Sequence, residues 1–547
     1  MTAAAPTARH PSARPGWLCL GALVREHPLA AGFMLAAIVA RVVFILMTDR
    51  YFEDALITVT HARNAADGLG LTHHGGEPVT HGFTSALSVL IPLAGELVVS
   101  GSSFPLMRVL GVVGGAASVI AGYLIARRLR LGTWPTALVL AFLAFDQAHI
   151  FYGMAGMETQ IAVAILLWTI VAMMHDRRLL TGVGLGLCLL ARPDFALFVG
   201  PALLWALLHW RRAVLPVVAA LVLLVGPWVL FTTAYYGSPV PNTIVAKQFA
   251  SLPHLPKLGD GLSAWTAFGR EKLEQHSQTY WKDFTPFLTN DSVVETFIPW
   301  LVLKAIAVLF AALAAFGALR TLRVPAWWPA IAFVVAFTLY RLFLLPPSYY
   351  GWYLPPYTAI LILLVAAGLR GIGDWRPALA RPAAALAVTL AVLFSMHMPF
   401  TFPLEAQVQK DIENQVRVEL GKYLGEVADG RSTISESAGY VGYYSDVELW
   451  DFPGLTSKHV TDHYRRVPAD RVGLLFQIQD LRPELVVLRG SEWESLHRVM
   501  QHLALVYEPL RAFSVTQEAT PLRQWGLRYM NVDREFVVLR RRDVPLP

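Results

Sequence analysis

Two carboxylates stand side by side in this sequence, Glu53 and Asp54, just after an apolar run that ends near residue 48. A carboxylate at a partly dry interface has its pKa raised and can act as a general base, whereas most acidic pairs at a helix end are simply solvated. This pair opens a polar loop that continues with Arg63, Asn64, His73, His74, Glu77, His81 and Thr84. The four histidines of the loop, His61, His73, His74 and His81, match no standard zinc spacing. Ligand spacing therefore does not support a divalent metal, and the chemistry considered below requires no cofactor.

Other charged and aromatic residues interrupt apolar sequence in the same way. Glu158 opens an apolar run, where a helix dipole favours a carboxylate. Arg192-Pro193-Asp194 breaks the long apolar stretch 179–208, and the two charges either neutralise each other or face a ligand. Asn242 follows Ser238-Pro239-Val240-Pro241, and Lys247 is the first lysine of the chain. Lys247 sits among aromatic and apolar residues, which fits either interfacial snorkelling or an anionic phosphate partner. Trp352 and Tyr353 close an aromatic stretch that begins at Pro346. Such a stretch suits a membrane aromatic belt and a stacked sugar face equally well.

The elements that must carry these residues are apolar helices. Of the 547 residues, 55% are hydrophobic and only 15% charged, against about 25% charged in an ordinary soluble domain. That excludes intrinsic disorder and argues against a soluble enzyme. Apolar runs of about 20 residues cross a bilayer as helices. They are read near 29–48, 104–126, 135–151, 158–174, 213–233, 298–319, 327–345, 354–370 and 381–397, with 179–208 as a hairpin turning at Arg-Pro-Asp. The expectation is an α-helical polytopic membrane protein of about eleven spans. The basic clusters Arg127–Arg130, Arg177–Arg178, Arg211–Arg212, Arg320–Arg323 and Arg370–Arg381 all fall on the cytoplasmic side if 83–99 does not cross. The segment 83–99 is therefore read as juxtamembrane, with the N-terminal tail 1–28 inside. The net charge of +6 is then the positive-inside signal, with no nucleic-acid partner behind it. The transmembrane part runs from 29 to 399, with outer loops at 49–103 and 234–297. Residues 400–547 turn polar and read as an extracytoplasmic α/β domain, with helical spacing over Gln407–Val427 and strands at Leu485–Leu488 and Phe536–Leu539. Two cysteines, Cys19 and Cys188, leave no disulfide framework.

Taken in order, the motifs resemble the GT-C class of membrane glycosyltransferases, which take sugars from polyprenyl-phosphate donors. The nearest resemblance is to the terminal arabinofuranosyltransferases of actinobacterial cell walls. It rests on Glu53-Asp54-Ala55, Arg63-Asn64, Gly68-Leu69-Gly70, Gly76-Glu77-Pro78-Val79, Gly82-Phe83-Thr84, Gly156-Met157-Glu158-Thr159 and Arg192-Pro193-Asp194. It continues through Tyr236–Thr243, Lys247, Gly439–Ser445 and Asp451–Thr456. The family's acidic pair is usually Asp-Asp, and its late outer loop usually carries Arg-Tyr where this chain has Trp352-Tyr353. The resemblance implies an inverting transfer in the bacterial plasma membrane, from a polyprenyl-phosphate sugar to an envelope glycan. Asp54 or Glu53 would be the base, and Lys247 and Arg192 would meet the donor phosphate. Glu158, His81, Asn242, Trp352, Tyr353 and Asp194 would line the substrate site. A lipid-linked-sugar flippase, a hexosyltransferase of the same class acting on lipid or protein, and a non-catalytic receptor are the competing readings. A flippase predicts inverted repeats, and no repeat is present in the sequence.

Overall fold

A computed structural model describes residues 25–75, 79–251, 256, 259–277, 300–343, 351–428, 430–515 and 532–545. Glu77 and the Pro346–Tyr350 part of the aromatic stretch lie outside the described residues. Eight described stretches are long and apolar enough to cross a membrane. Counting Pro193–Tyr236 as two segments, and adding the shorter Leu87–Val98, Thr159–Met174 and Arg178–Ala191, gives twelve apolar segments among the described residues, or eleven without Leu87–Val98, the segment read as juxtamembrane. In chain order the first part contains α1 (Pro28–Thr48), α2 (Glu53–Ala66), α3 (Leu87–Val98), α4 (Ser103–Arg128), α5 (Thr133–Phe145) and α6 (Gln147–Met154). It continues with α7 (Thr159–Met174), α8 (Arg178–Ala191), α9 (Ala196–Trp210), α10 (Leu215–Tyr236), α11 (Asn242–Ser251) and α12 (Gly261–Ser277). Then come α13 (Trp300–Thr321), α14 (Trp328–Phe343), α15 (Leu354–Trp375), α16 (Ala380–Met396) and α17 (Met398–Val408). The segment read as juxtamembrane holds α3, whose 12 residues rise only about 18 Å, short of a hydrocarbon core of about 30 Å.

The centre of the bundle is α15, buried without interruption from Leu354 to Leu369. It meets α13 backbone to backbone. A Cβ at Gly317 would strike the Leu364 carbonyl, and one at Gly368 would strike the Leu313 carbonyl. In lipid, such close approach replaces the hydrophobic drive that water gives a soluble core.

The run 135–151, read as one helix, is broken at Asp146, which ends α5 and caps α6 by accepting from the His149 N–H at 3.2 Å. The break leaves carbonyls at the end of α5 without helical donors. Arg41 of α1, fully buried, supplies them. Its guanidinium donates to the carbonyls of Ala144 (3.0 Å) and Leu143 (3.1 Å) and to Gln160 Oε1 (2.7 Å). A cation in a membrane helix is thus used to close the end of a neighbouring one.

The C-terminal region continues from α17 through a π-helical stretch, Gln409–Val418, into α18 (Glu419–Val427). Its strands are β1 (Ser432–Ser435), β2 (Glu448–Asp451), β3 (Leu485–Arg489), β4 (Tyr507–Ser514) and β5 (Glu535–Arg541). They form one sheet in the order β2-β1-β3-β5-β4, parallel across β2, β1 and β3 and antiparallel at β5 and β4. The period of two divides the side chains between faces. Leu485, Val487, Phe536 and Val538 pack toward the 409–427 helix and α19 (Ala438–Tyr444). Val486, Leu488, Val537 and Leu539 pack toward α21 (Leu474–Leu481), α22 (Gly490–Val499) and α23 (Gln501–Val506), with α20 (Lys458–Tyr464) beside β2. The first face also takes in Ile57 of α2, so the sheet domain rests on the polar loop that carries Asp54.

Arg41→Met should lower the thermal midpoint of the detergent-solubilised protein markedly. It strands two carbonyls and Gln160, each a loss of about 1–3 kcal/mol. A melt monitored by size-exclusion chromatography checks this, with surface-exposed Arg212→Met as the near-neutral control.

Candidate functional site

Ends of several helices converge on one cavity. α2 gives Asp54 and Thr58, and the loop before α3 gives Gly82, Phe83 and Thr84. The start of α7 gives Glu158, the α8–α9 turn gives Arg192 and Asp194, α11 gives Lys247, and the start of α15 gives Trp352 and Tyr353. The sheet domain adds Leu455. The opposite ends of the same helices carry the basic clusters. Arg128 donates to the Met174 carbonyl at the far end of α7 (2.8 Å). Arg320 and Arg370 pair with Asp374 at the far end of α15 (2.7 and 2.9 Å).

Local sequence explains how each wall residue is placed. Gly156, at φ 99°, makes the turn that starts α7, and Phe104 and Ala55 occupy the space a Cβ would need. That turn delivers Glu158 to the cavity. Pro193 ends α8 and opens a short 3₁₀ turn, so Arg192 and Asp194 stand on the same bend. Arg192 is 3% exposed. Its Nε donates to Asp194 (3.0 Å), its Nη1 donates to the Trp352 carbonyl (3.1 Å) and lies 3.6 Å from Glu158, and the group sits 4.5 Å over the Tyr353 ring. Lys247, half-buried, donates to Tyr353 Oη at 3.2 Å.

Asp54 is different in kind. Among the described residues nothing hydrogen-bonds its carboxylate, although it lines the cavity. Its surroundings raise the carboxyl above its ordinary value by desolvation, and the nearby Lys247 charge draws it partly back. A carboxylate held this way can accept a proton from a hydroxyl placed in the cavity.

Seven of the ten residues singled out in the sequence meet here: Asp54, Glu158, Arg192, Asp194, Lys247, Trp352 and Tyr353. Three stand elsewhere. Glu53 turns away from the cavity. It pairs with Arg417 and accepts from the Gly439 N–H at 3.0 Å, because successive residues at a helix start point about 100° apart. His81 is buried with its ring stacked on Tyr236, centroids 4.7 Å apart. Asn242 ties α11 to the sheet domain, donating to the Gly454 carbonyl (2.8 Å) and accepting from Thr461 Oγ1 (2.9 Å). The sequence reading missed the Thr58 hydroxyl on the cavity wall, and it quoted Thr84 and Thr243, whose hydroxyls lie 2.9 Å apart there, only as parts of motifs. Thr58 was visible in principle, four residues after Asp54 and so on the same helix face. The partner of Glu53, Arg417, lies too far along the chain for spacing to show it.

The loop histidines form a packed interdomain wedge. His61 and His73 have ring centroids 5.4 Å apart, and Gly442 of α19 lies directly against His73. Burial lowers His61 and His74 to about 4 and His73 well below its ordinary value. Among the described residues no group of three or more potential metal ligands is present.

A family profile described as a domain of unknown function (DUF8728) matches residues 406–537. No curated protein matches the chain. Among solved structures, the chain is similar to the Archaeoglobus fulgidus oligosaccharyltransferase, solved in complex with Zn and sulfate. Identity is 13% over 88% of this chain and 72% of that one, with a TM-score of 0.49. It is also similar to ArnT from Cupriavidus metallidurans bound to undecaprenyl phosphate (14% identity, 96% and 98% covered, TM-score 0.47). The apo state of that ArnT gives 12%, 95%, 98% and 0.49. Likeness at this level says nothing about chemistry.

The histidine wedge predicts acid sensitivity. These imidazoles have folded pKa values below their unfolded value of about 6.5, so their contribution is complete above that pH and lost as pH falls toward 4. The loss for His61 alone is on the order of 3 kcal/mol. Thermal melts from pH 7.5 to 4.5 should show a falling midpoint, with a shallower fall in His61→Gln.

Proposed function

We propose that this chain is a membrane glycosyltransferase. It moves a sugar from a polyprenyl-phosphate donor to a hydroxyl of an extracytoplasmic envelope glycan, with inversion. The observation that carries the reading is a carboxylate without a hydrogen bond, Asp54, facing the same cavity as the cation Lys247 and the Arg192-ordered aromatics. The motif order that resembles the GT-C class supports it and favours an arabinofuranose as the sugar. The basic ends of the helices lie away from the cavity, which supports an extracytoplasmic site by the positive-inside rule.

In this reaction Asp54 takes the acceptor hydroxyl proton as its oxygen bonds to the anomeric carbon. The bond from that carbon to the phosphate oxygen breaks, and polyprenyl phosphate leaves. Lys247 offsets the charge that collects on the leaving phosphate. Arg192 is already engaged by Asp194, Glu158 and the Trp352 carbonyl. Its part is to hold Trp352 and Tyr353 against the sugar, with the phosphate left to Lys247.

A second recess suits the lipid. An open apolar groove runs between α2, α3, α8 and α10, lined by Leu90, Leu93, Leu190, Trp228 and Phe231 among others. Leu190 directly precedes the cavity residues Ala191 and Arg192, and Leu90 lies two residues beyond the cavity residue Ser88. An isoprenoid chain in this groove would leave its phosphate at the cavity mouth.

Asp54→Asn should reduce transfer of a labelled lipid-linked sugar by roughly 10²–10⁴-fold while the protein still inserts and purifies. In the unaltered protein the acid limb of kcat/KM should lie above the ordinary carboxylate pKa, since activity needs the ionised form of a carboxyl that burial raises. Undiminished transfer by Asp54→Asn would remove the assignment. Leu93→Trp should raise KM for a long-chain polyprenyl donor and leave KM for a short-chain analogue unchanged, as measured in the same assay.

A further inference from the structure

We propose that Arg417, from the C-terminal region, is a positioning residue for Asp54 and acts through Glu53, so that the site is incomplete without that region. The proposal rests on the reading of Asp54 as the base. Every residue just before Asp54 is anchored, and nearly every anchor comes from 405–440. Arg50, 3% exposed, pairs with Glu405 (3.1 Å) and Glu413 (2.8 Å) and donates to Gln409 Oε1 (3.1 Å). The Tyr51 N–H donates to the same Gln409 oxygen at 3.0 Å, and Tyr440 Oη donates to the Tyr51 carbonyl at 3.3 Å. The Phe52 N–H donates to the Ala155 carbonyl at 2.9 Å. Glu53 pairs with Arg417 and accepts from the Gly439 N–H. Asp54 follows as the first side chain pointing into the cavity with no hydrogen bond of its own.

Arg417 is the hub of this set. It is 4% exposed, pairs with Glu413 (3.0 Å), faces Asp533 (3.8 Å), donates to Ser437 Oγ (3.0 and 3.2 Å) and stacks over Tyr440 at 4.6 Å. Arg489 holds Asp533 from β3 at 2.6 Å. A buried ion pair gives little net stability over apolar packing of the same shape. What it does supply is direction, because a guanidinium fixes a carboxylate in a defined plane. The backbone adds a second constraint, since a Cβ at Gly439 would collide with the Glu53 carbonyl. The first turn of α2 is thus gripped by side chain and main chain together.

The charges set a distinguishing signature. Facing the Asp54 carboxylate are Lys247 and Glu158; facing the Glu53 carboxylate and Arg417 are Glu413, Asp533, Arg489 and Arg50. Removing the Arg417 charge leaves Glu53 without its cation, since Glu413 keeps Arg50 and Asp533 keeps Arg489, and an unpaired Glu53 one residue before Asp54 disfavours the ionised form of Asp54.

The test is steady-state transfer by the full-length protein with a labelled polyprenyl-phosphate sugar. Arg417→Gln should lower kcat about 10–100-fold with KM for the donor unchanged, and should move the acid limb of kcat/KM to higher pH. In Arg417→Gln with Glu53→Gln the limb should return toward its original position while kcat stays low. Gly439→Ala removes no charge and should lower kcat alone, so it decides the matter if Arg417→Gln does not fold. Guanidinium ion should partly restore Arg417→Ala. Loss of transfer in Asp54→Asn together with unchanged kcat and acid limb in both Arg417→Gln and Gly439→Ala would overturn the proposal. Full activity in Asp54→Asn would instead overturn the base assignment beneath it.

Discussion

A charge buried among apolar helices must be met by another charge or by a dipole, and Arg192 shows what that requirement builds. Its guanidinium is nearly buried and draws in Asp194 from its own turn, Glu158 from the start of α7, and the Trp352 carbonyl and Tyr353 ring from the start of α15. Three separate helix ends are thereby fixed around one point. The cavity exists because these ends cannot separate without stranding a buried cation. Lys247 then enters on α11 and borrows the same tyrosine, so the second cation is located by the first.

The same rule acts deeper in the bundle, where Arg41 closes the broken end of α5. It acts again above it, where Arg50 and Arg417 join the transmembrane helices to the sheet domain. Four buried arginines, Arg41, Arg192, Arg50 and Arg417, thus connect three layers. Apolar packing between them supplies bulk attraction, and the glycine contact of α13 with α15 adds close backbone packing. The arginines supply the directions.

The adjacent carboxylates illustrate how much one helical step decides. Glu53 and Asp54 are chemically alike and neighbours in sequence, yet one is bound to the sheet domain and the other faces the cavity. Their difference comes from the turn of about 100° between successive residues, combined with where the sheet domain sits. Spacing alone left both as equal candidates. The loop histidines also stay out of the cavity: His73 and His74 pack as neutral rings against the sheet domain with His61 beside them, and His81 stacks on Tyr236 of α10.

By itself the sequence determined the class of the molecule. Apolar run lengths set the helices, the Arg-Pro-Asp break set the hairpin between α8 and α9, and short continuous apolar runs rich in valine set β3 and β5, because each depends only on neighbours along the chain. It also brought forward Asp54, Glu158, Arg192, Asp194, Lys247, Trp352 and Tyr353, since charge and clustered aromatics stand out against apolar surroundings. The break at Asp146 escaped that reading, because a lone carboxylate in an apolar run leaves the average hydropathy nearly unchanged. Only the tertiary structure decided that these residues share one cavity. It also decided that Glu53 and Asn242 serve the domain contact, that His81 stacks on Tyr236 of α10, and that Arg417 reaches back 364 positions to Glu53. Those facts depend on which helix ends meet in space, and that is set by packing between elements with no trace in local spacing.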